Sequence, residues 1–218
     1  MTMLDTSRVA FERAFQALGG QSPEPAAFER LCAAYSEPHR HYHTLEHVLS
    51  CLAWLDWTWS LAARPHEVLL AIWYHDAVYE PLASDNEARS AARARLDLEA
   101  AGVTQEAIAR VEALVMATRE HALGGGDAAL LVDIDLAILG SQPADFERFE
   151  AQVRREYSSI SSELYALGRA SVLTQLAARE PLYATAFLQS ELGPRARLNL
   201  TRAVTAWNMR AAANVPPA

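Results

Sequence analysis

Apolar side chains recur at i, i+3, i+4 and i+7 along nearly the whole chain, and no stretch alternates apolar with polar as a strand would. That periodicity predicts helices throughout. Val9, Phe11, Phe15 and Leu18 form a first amphipathic stripe, stopped by Gly19-Gly20. Ser22-Pro23-Glu24-Pro25 opens a second helix, with Pro just inside its start; it carries Phe28, Leu31 and Tyr35 and is ended by Pro38. A third, over 44–62, has Leu45, Val48, Leu52 and Leu55 as its stripe. Pro65 and Glu67 start a fourth, and its segment 68–74 is apolar all round. A helix without a polar face is expected in the middle of a bundle.

Ser84-Asp85-Asn86-Glu87 opens a fifth helix that ends at Gly102, and Thr104 starts a sixth that ends near His121, before Gly124-Gly125-Gly126. A seventh is expected over 128–139, closed by Gly140, and an eighth from Ser141 and Pro143 to Tyr157. A ninth covers 163–179 and is broken by Pro181. Pro194 introduces a last helix over 194–213, and 215–218 reads as loose. No linker, no repeat and no low-complexity tract interrupts the series. The expectation is a single all-α domain, a multi-helix bundle over 1–218.

Composition narrows the chemistry. The chain has 218 residues, 42 of them Ala, and its 19 basic residues are all Arg, so lysine Schiff-base and lysine-base mechanisms drop out. Its net charge of -8 argues against a nucleic-acid polymer as partner. The longest apolar run is far shorter than the roughly 20 residues of a membrane span, and 1–15 has no continuous apolar core, so neither membrane nor export is expected. Cys32 and Cys51 lack Cys-x-x-Cys spacing and read as small buried hydrophobes in a reducing cytoplasm. Trp54, Trp57 and Trp59 read with Trp73 as packing residues, although three Trp within six positions cannot share one helix face. At least one should be exposed, covering a site mouth or an interface.

Histidine is where the pattern stops being generic. Four of the seven fall in His39-Arg40-His41-Tyr42-His43-Thr44-Leu45-Glu46-His47, and His43 and His47 lie one helical turn apart on one face. His75-Asp76 follows the all-apolar segment, where an ionised Asp costs several kcal/mol unless it is paired or holds a cation. His121 comes at the end of the sixth helix, and Asp133 and Asp135 stand in 131–136. Asp133 and Asp135 point about 200° apart on one helix, so both cannot easily reach one cation. Each part has an ordinary structural explanation. Their combination, two imidazoles and two carboxylates from three helices, is a divalent-metal donor set.

The order His47 … His75-Asp76 … Asp135 on an all-α chain resembles the HD-domain superfamily of metal-dependent phosphohydrolases. Tyr42-His43-Thr44-Leu45-Glu46-His47, Ile72-Trp73-Tyr74-His75-Asp76-Ala77-Val78-Tyr79, Asp85-Asn86-Glu87-Ala88-Arg89-Ser90, Ala117-Thr118-Arg119-Glu120-His121 and Asp133-Ile134-Asp135-Leu136 resemble its branch of small bacterial predicted hydrolases. The likeness covers roughly residues 25–180. It implies an HD-type bundle with His47, His75, Asp76 and Asp135 as ligands of a divalent ion (Mn, Fe, Co, Ni, Zn or Mg). The superfamily's pattern of a small or apolar residue, then Asp, then a partly apolar stretch is better matched by Ile134-Asp135-Leu136, so the resemblance favours Asp135 over Asp133 as the fourth ligand.

The implied activity is hydrolysis of a small phosphorylated, nucleotide-like substrate, in which a metal ion acidifies a water and polarises the phosphoryl group. Glu80, at the end of the buried helix, is the first candidate to orient the water and Glu87 the second, although Ser84 to Glu87 also reads as a capping box. Without Lys, phosphate contacts fall to Arg40 and Arg119, with His43 and His121 as further phosphate contacts or ligands of a second ion. His121 could equally close the C-terminus of its helix. The alternative expectation is a metal-containing binding or sensing module without turnover, and a third is a two-iron oxygenase or lyase that would need His43 and His121 as extra ligands. The helix over 163–179 and the Trp cluster are the surfaces on which a homodimer would form.

Overall fold

The computed structural model describes residues 3–121 and 124–213; the tail 215–218 expected to be loose lies outside them. Among the described residues all regular structure is helical: α1 (Met3–Ala17), α2 (Pro25–Ala34), α3 (Leu45–Thr58), α4 (Pro65–Tyr74), α5 (Asn86–Ala100), α6 (Gln105–Ala117), α7 (Gly126–Asp135), α8 (Pro143–Glu156), α9 (Ser162–Ala177) and α10 (Ala186–Ala213). Short 3-10 turns follow α3 (Trp59–Leu61) and α7 (Leu136–Gly140). No helix among them is long and apolar enough to cross a membrane.

The chain divides into two compact units, Met1–Asp135 and Leu136–Ala218. The sequence reads as one unbroken series of helices, because this boundary falls inside the helical stretch 131–139 with no linker to mark it.

In the first unit α4 is the axis, touching α1, α3, α5, α6 and α7. Every residue from Glu67 to Tyr74 is buried, as its all-round apolar pattern requires. Trp73 is fully buried, with its ring 5.0 Å from Phe28 and 5.8 Å from Phe11. At the start of the helix, buried Glu67 accepts both Nε and Nη2 of Arg110 on α6, at 2.7–3.0 Å. Asp127, in the first turn of α7, accepts the backbone N–H groups of Ala63 (2.7 Å) and Arg64 (2.9 Å) just before α4. One carboxylate thus clasps the starts of two helices that both lead into the site. α5 starts at Asn86 without a side-chain cap, so the expected capping box with Glu87 is not formed. Instead the Asn86 amide bonds both the N–H and the C=O of Glu80 and closes the loop between α4 and α5.

In the second unit α10 packs along α9 and on the Leu136–Gly140 turn. The Asn199 amide donates to the carbonyls of Leu139 (2.9 Å) and Ser141 (3.0 Å), and Tyr183 Oη donates to that of Leu136 (3.1 Å). Gly140 permits this approach: a Cβ there would come within 2.6 Å of the Leu192 side chain. Pro194 does not introduce α10 as the pattern suggests; it lies inside a helix that begins at Ala186. The missing N–H weakens one turn, but buried Leu188 and Leu192 before it and Ala196 and Leu200 after it hold both halves in the same core. A buried network joins the three helices. Glu150 of α8 accepts Arg169 of α9 (2.5 Å) and the indole N–H of Trp207 of α10 (2.6 Å).

Trp57 is 73% exposed and Trp54 and Trp59 are half-buried, as three Trp on one short segment require.

Candidate metal centre

Three elements of the first unit deliver the cluster. His47 sits in the first turn of α3, His75 is the residue that caps α4, Asp76 follows it in the turn, and Asp135 ends α7. His47 Nε2 stands 3.2 Å from His75 Nε2 and 3.1 Å from Asp135 Oδ1, and His75 Nε2 is 3.6 Å from the same oxygen. Asp76 Oδ2 lies against both imidazoles, 3.1 Å from His75 Nε2 and 3.9 Å from His47 Nε2. Both imidazoles are buried. Asp133 is buried too, but it is Asp135 that joins His47 and His75 in a group with ligand atoms all within 4.8 Å of one another.

These donors fit a divalent cation. Ligand atoms about 2.1 Å from one cation stand about 3.0–3.4 Å from each other, depending on geometry, and the separations within this group are 3.1, 3.2 and 3.6 Å. His75 Nδ1 is 2.8 Å from the carbonyl of Ile72, which can only accept, so the proton belongs on Nδ1. In the neutral ring the lone pair then lies on Nε2, facing the cluster.

Charge is balanced locally. Burial works against a charged His75, but the Asp76 and Asp135 carboxylates outweigh it and hold the imidazole well above its ordinary pKa. Burial likewise opposes ionised carboxylates, yet His75 and His43 keep Asp76 below the usual range, and hydrogen bonds from His121, His47 and His75 do the same for Asp135. Both acids therefore remain anionic near neutrality. Their positions at the ends of helices differ in effect: the α4 C-terminus favours a cation at His75, whereas the α7 C-terminus disfavours a carboxylate at Asp135. The imidazoles around Asp135 offset that cost.

The other expected site residues divide sharply. His121 reaches the cluster, its Nε2 2.9 Å from Asp135 Oδ2. His43 lies at its edge, stacked on Tyr79 with ring centroids 4.1 Å apart and 6.0 Å from the His47 ring. Arg40 is not placed as a phosphate contact. Its buried guanidinium donates to Glu37 Oε2 (3.0 Å) and to the carbonyls of His43 (3.2 Å), Asp76 (2.6 Å) and Ala77 (3.3 Å), between the rings of Tyr35 and Tyr79. Arg119 is exposed in the turn after α6 and makes no ion pair among the described residues. Glu80 is exposed and Glu87 half-buried, and no contact joins either to the four clustered residues.

Three neighbours escaped the sequence reading. Tyr42 packs its ring 4.8 Å from His47, Tyr79 carries His43, and the Cys51 thiol lies 3.8 Å from both ring nitrogens of His47. Burial, with Asp135 and Asp76 nearby, pushes that thiol well above its ordinary pKa, so it stays protonated. The one available signal was spacing: Cys51 follows His47, and Tyr79 follows His75, by four residues.

No family model, curated protein or solved structure gives a significant match to this chain.

Proposed function

We propose that this is an HD-type metal-dependent hydrolase acting on a small phosphate ester. The observation that carries the reading is the convergence of His47 Nε2, His75 Nε2 and Asp135 Oδ1 within 3.1–3.6 Å, with Asp76 Oδ2 against the same imidazoles. These four side chains would hold the ion. A divalent cation held there supplies an acidified water and an electrophile for the phosphoryl oxygen. The chain's own share is positional: Ile72 fixes the His75 tautomer, Arg40 joins the segments that carry His43 and Asp76, and burial of the imidazoles keeps bulk water off the donors. With no Lys and with Arg40 engaged, Arg119 and His43 remain as candidates to meet the phosphate.

Glu80 is exposed and no contact joins it to the cluster, which favours a second reading, a metal-containing binding or sensing module of the same HD type without turnover. One experiment separates the two. Metal content of the purified protein is measured, and the Mn-loaded protein is assayed on phosphomonoesters, phosphodiesters and nucleotides beside His75→Ala. Hydrolysis by the wild type that the variant lacks supports the enzyme. Stoichiometric metal without hydrolysis supports the module, and absence of any bound divalent ion at saturating supply overturns both.

A further inference from the structure

Asp135 uses its two oxygens differently. Oδ1 faces His47 and His75 at 3.1 and 3.6 Å, while Oδ2 is 2.9 Å from His121 Nε2. A carboxylate turns readily about its last torsion, which is broad and nearly two-fold, so an aspartate held from one side alone does not keep one oxygen on its target. His121 supplies the second hold, and it comes from a different segment, the turn after α6.

That turn is tied to the end of α6. Thr118 Oγ1 and Thr118 N–H both donate to the Val115 carbonyl, and the N–H of Arg119 donates to that of Met116. At its end His121 adopts φ 47°, a left-handed conformation that side chains other than Gly enter at a cost. Among the described residues it is the one non-glycine with positive φ. Strain of this kind persists where surrounding contacts impose it, and the bond to Asp135 is among the contacts His121 makes. His121 Nε2 meets Oδ2, whereas it is Oδ1 that converges with the two imidazoles.

We infer that His121 is a positioning residue that holds Asp135 Oδ2 so that Oδ1 stays aimed at the His47–His75 pair. Its role is neither to bind the ion nor to meet the phosphate. The inference rests on the metal-centre reading and adds to it the residue that pre-orients a ligand.

The test is Mn²⁺ titration calorimetry on the metal-free full chain, with absorption spectra of the Co²⁺-loaded forms. Loss of a partner that orients a ligand costs about 10–100-fold in metal affinity, and that loss is expected for His121→Ala. Its Co²⁺ spectrum at saturation should match the wild type, because the ligands are unchanged. His121→Gln, whose amide can donate at similar reach, should recover most of the affinity. His121→Asn tolerates the left-handed backbone but is too short to reach Asp135; it should behave like His121→Ala, and it serves should His121→Ala fail to fold. Wild-type affinity in His121→Ala or His121→Asn overturns the inference, and so does a changed Co²⁺ spectrum, which would make His121 a ligand. A wild type that binds neither ion overturns the metal reading itself, a result seen before any variant is compared.

Discussion

The guanidinium of Arg40 donates to the main-chain carbonyl of Asp76 at 2.6 Å, across 36 positions of sequence. That bond and its neighbours to His43 and Ala77 fasten the His-rich segment before α3 to the turn after α4. Two donor-bearing stretches are thereby held by a residue that takes no part in the cluster itself.

Arg40→Ala would leave three carbonyls without their donor, and a loss of about 3 kcal/mol or more is expected at about 1 kcal/mol or more for each. Arg40→Lys should lose a smaller part, since an ammonium cannot reproduce the planar fork. Urea denaturation measures both. Unchanged stability with a weakened KM for phosphate esters would return Arg40 to substrate binding.

The cluster gives the metal-free protein a two-sided pH profile. Asp76 and Asp135 are held below the ordinary aspartate value of about 3.9. The stability they contribute is present above that pH and is lost as the pH falls through their folded values. His75 is raised, so its contribution is complete below about pH 6.5 and drains away as the pH rises through its folded value. Urea midpoints for the metal-free protein should therefore be highest between about pH 4.5 and 6.5. Because the cation competes with the proton on His75, Mn²⁺ affinity should climb with pH and remove the alkaline fall. A flat profile from about pH 5 to 9 without metal would refute the assignment.

The two thiols should react at very different rates. Cys32 is half-buried and Cys51 buried, and burial raises both thiol pKa values, far more for Cys51. A chromogenic disulfide reagent at neutral pH should titrate one thiol slowly and the second only on unfolding. Cys32→Ser should remove the first phase. Two thiols reacting together in the native protein would contradict the burial of Cys51.

In the second unit, Arg169→Met would strand the Glu150 carboxylate among Phe149, Tyr165 and Trp207, and a loss of about 3–5 kcal/mol is expected. Trp207→Phe, which removes only the indole donor, should cost about 1–2 kcal/mol. Thermal denaturation of the two variants checks the order. By contrast, the exposed Trp57 should tolerate Trp57→Ser within about 0.5 kcal/mol, whereas Trp73→Ala should lose about 3–5 kcal/mol.

Much of this was legible from residue order because helix punctuation and a polarity anomaly are local signals. Pro25, Pro65 and Pro143 open α2, α4 and α8 where they stand in the sequence. The featureless apolarity of 68–74 marks the central helix, so His75-Asp76 at its end stands out. Helical phase says that only one of Asp133 and Asp135 can join the group, and the likeness to the HD pattern, not phase, singles out Asp135. What was not legible depends on tertiary partners. Arg40 reads as a phosphate ligand until the carbonyls of Asp76 and Ala77, far along the chain, appear around it. Glu80 reads as a helper until the loop that Asn86 closes on its backbone leaves it exposed and without contact to the cluster. Pro194 reads as a helix start because nothing local reveals that Leu188 and Leu192 already share a core with Ala196 and Leu200.

The clasp at Asp127 has one more consequence. Asp127 and Asp135 lie eight residues apart on α7, about 12 Å along its axis, with the first fixed to the backbone before α4 and the second presented to the imidazoles. α7 therefore acts as a ruler, and its residue count sets the azimuth at which Asp135 emerges. One residue inserted between these two aspartates would leave every side chain of the cluster chemically intact. It would turn Asp135 by about 100° about the helix axis, so the chain would keep all its donors and lose their common focus.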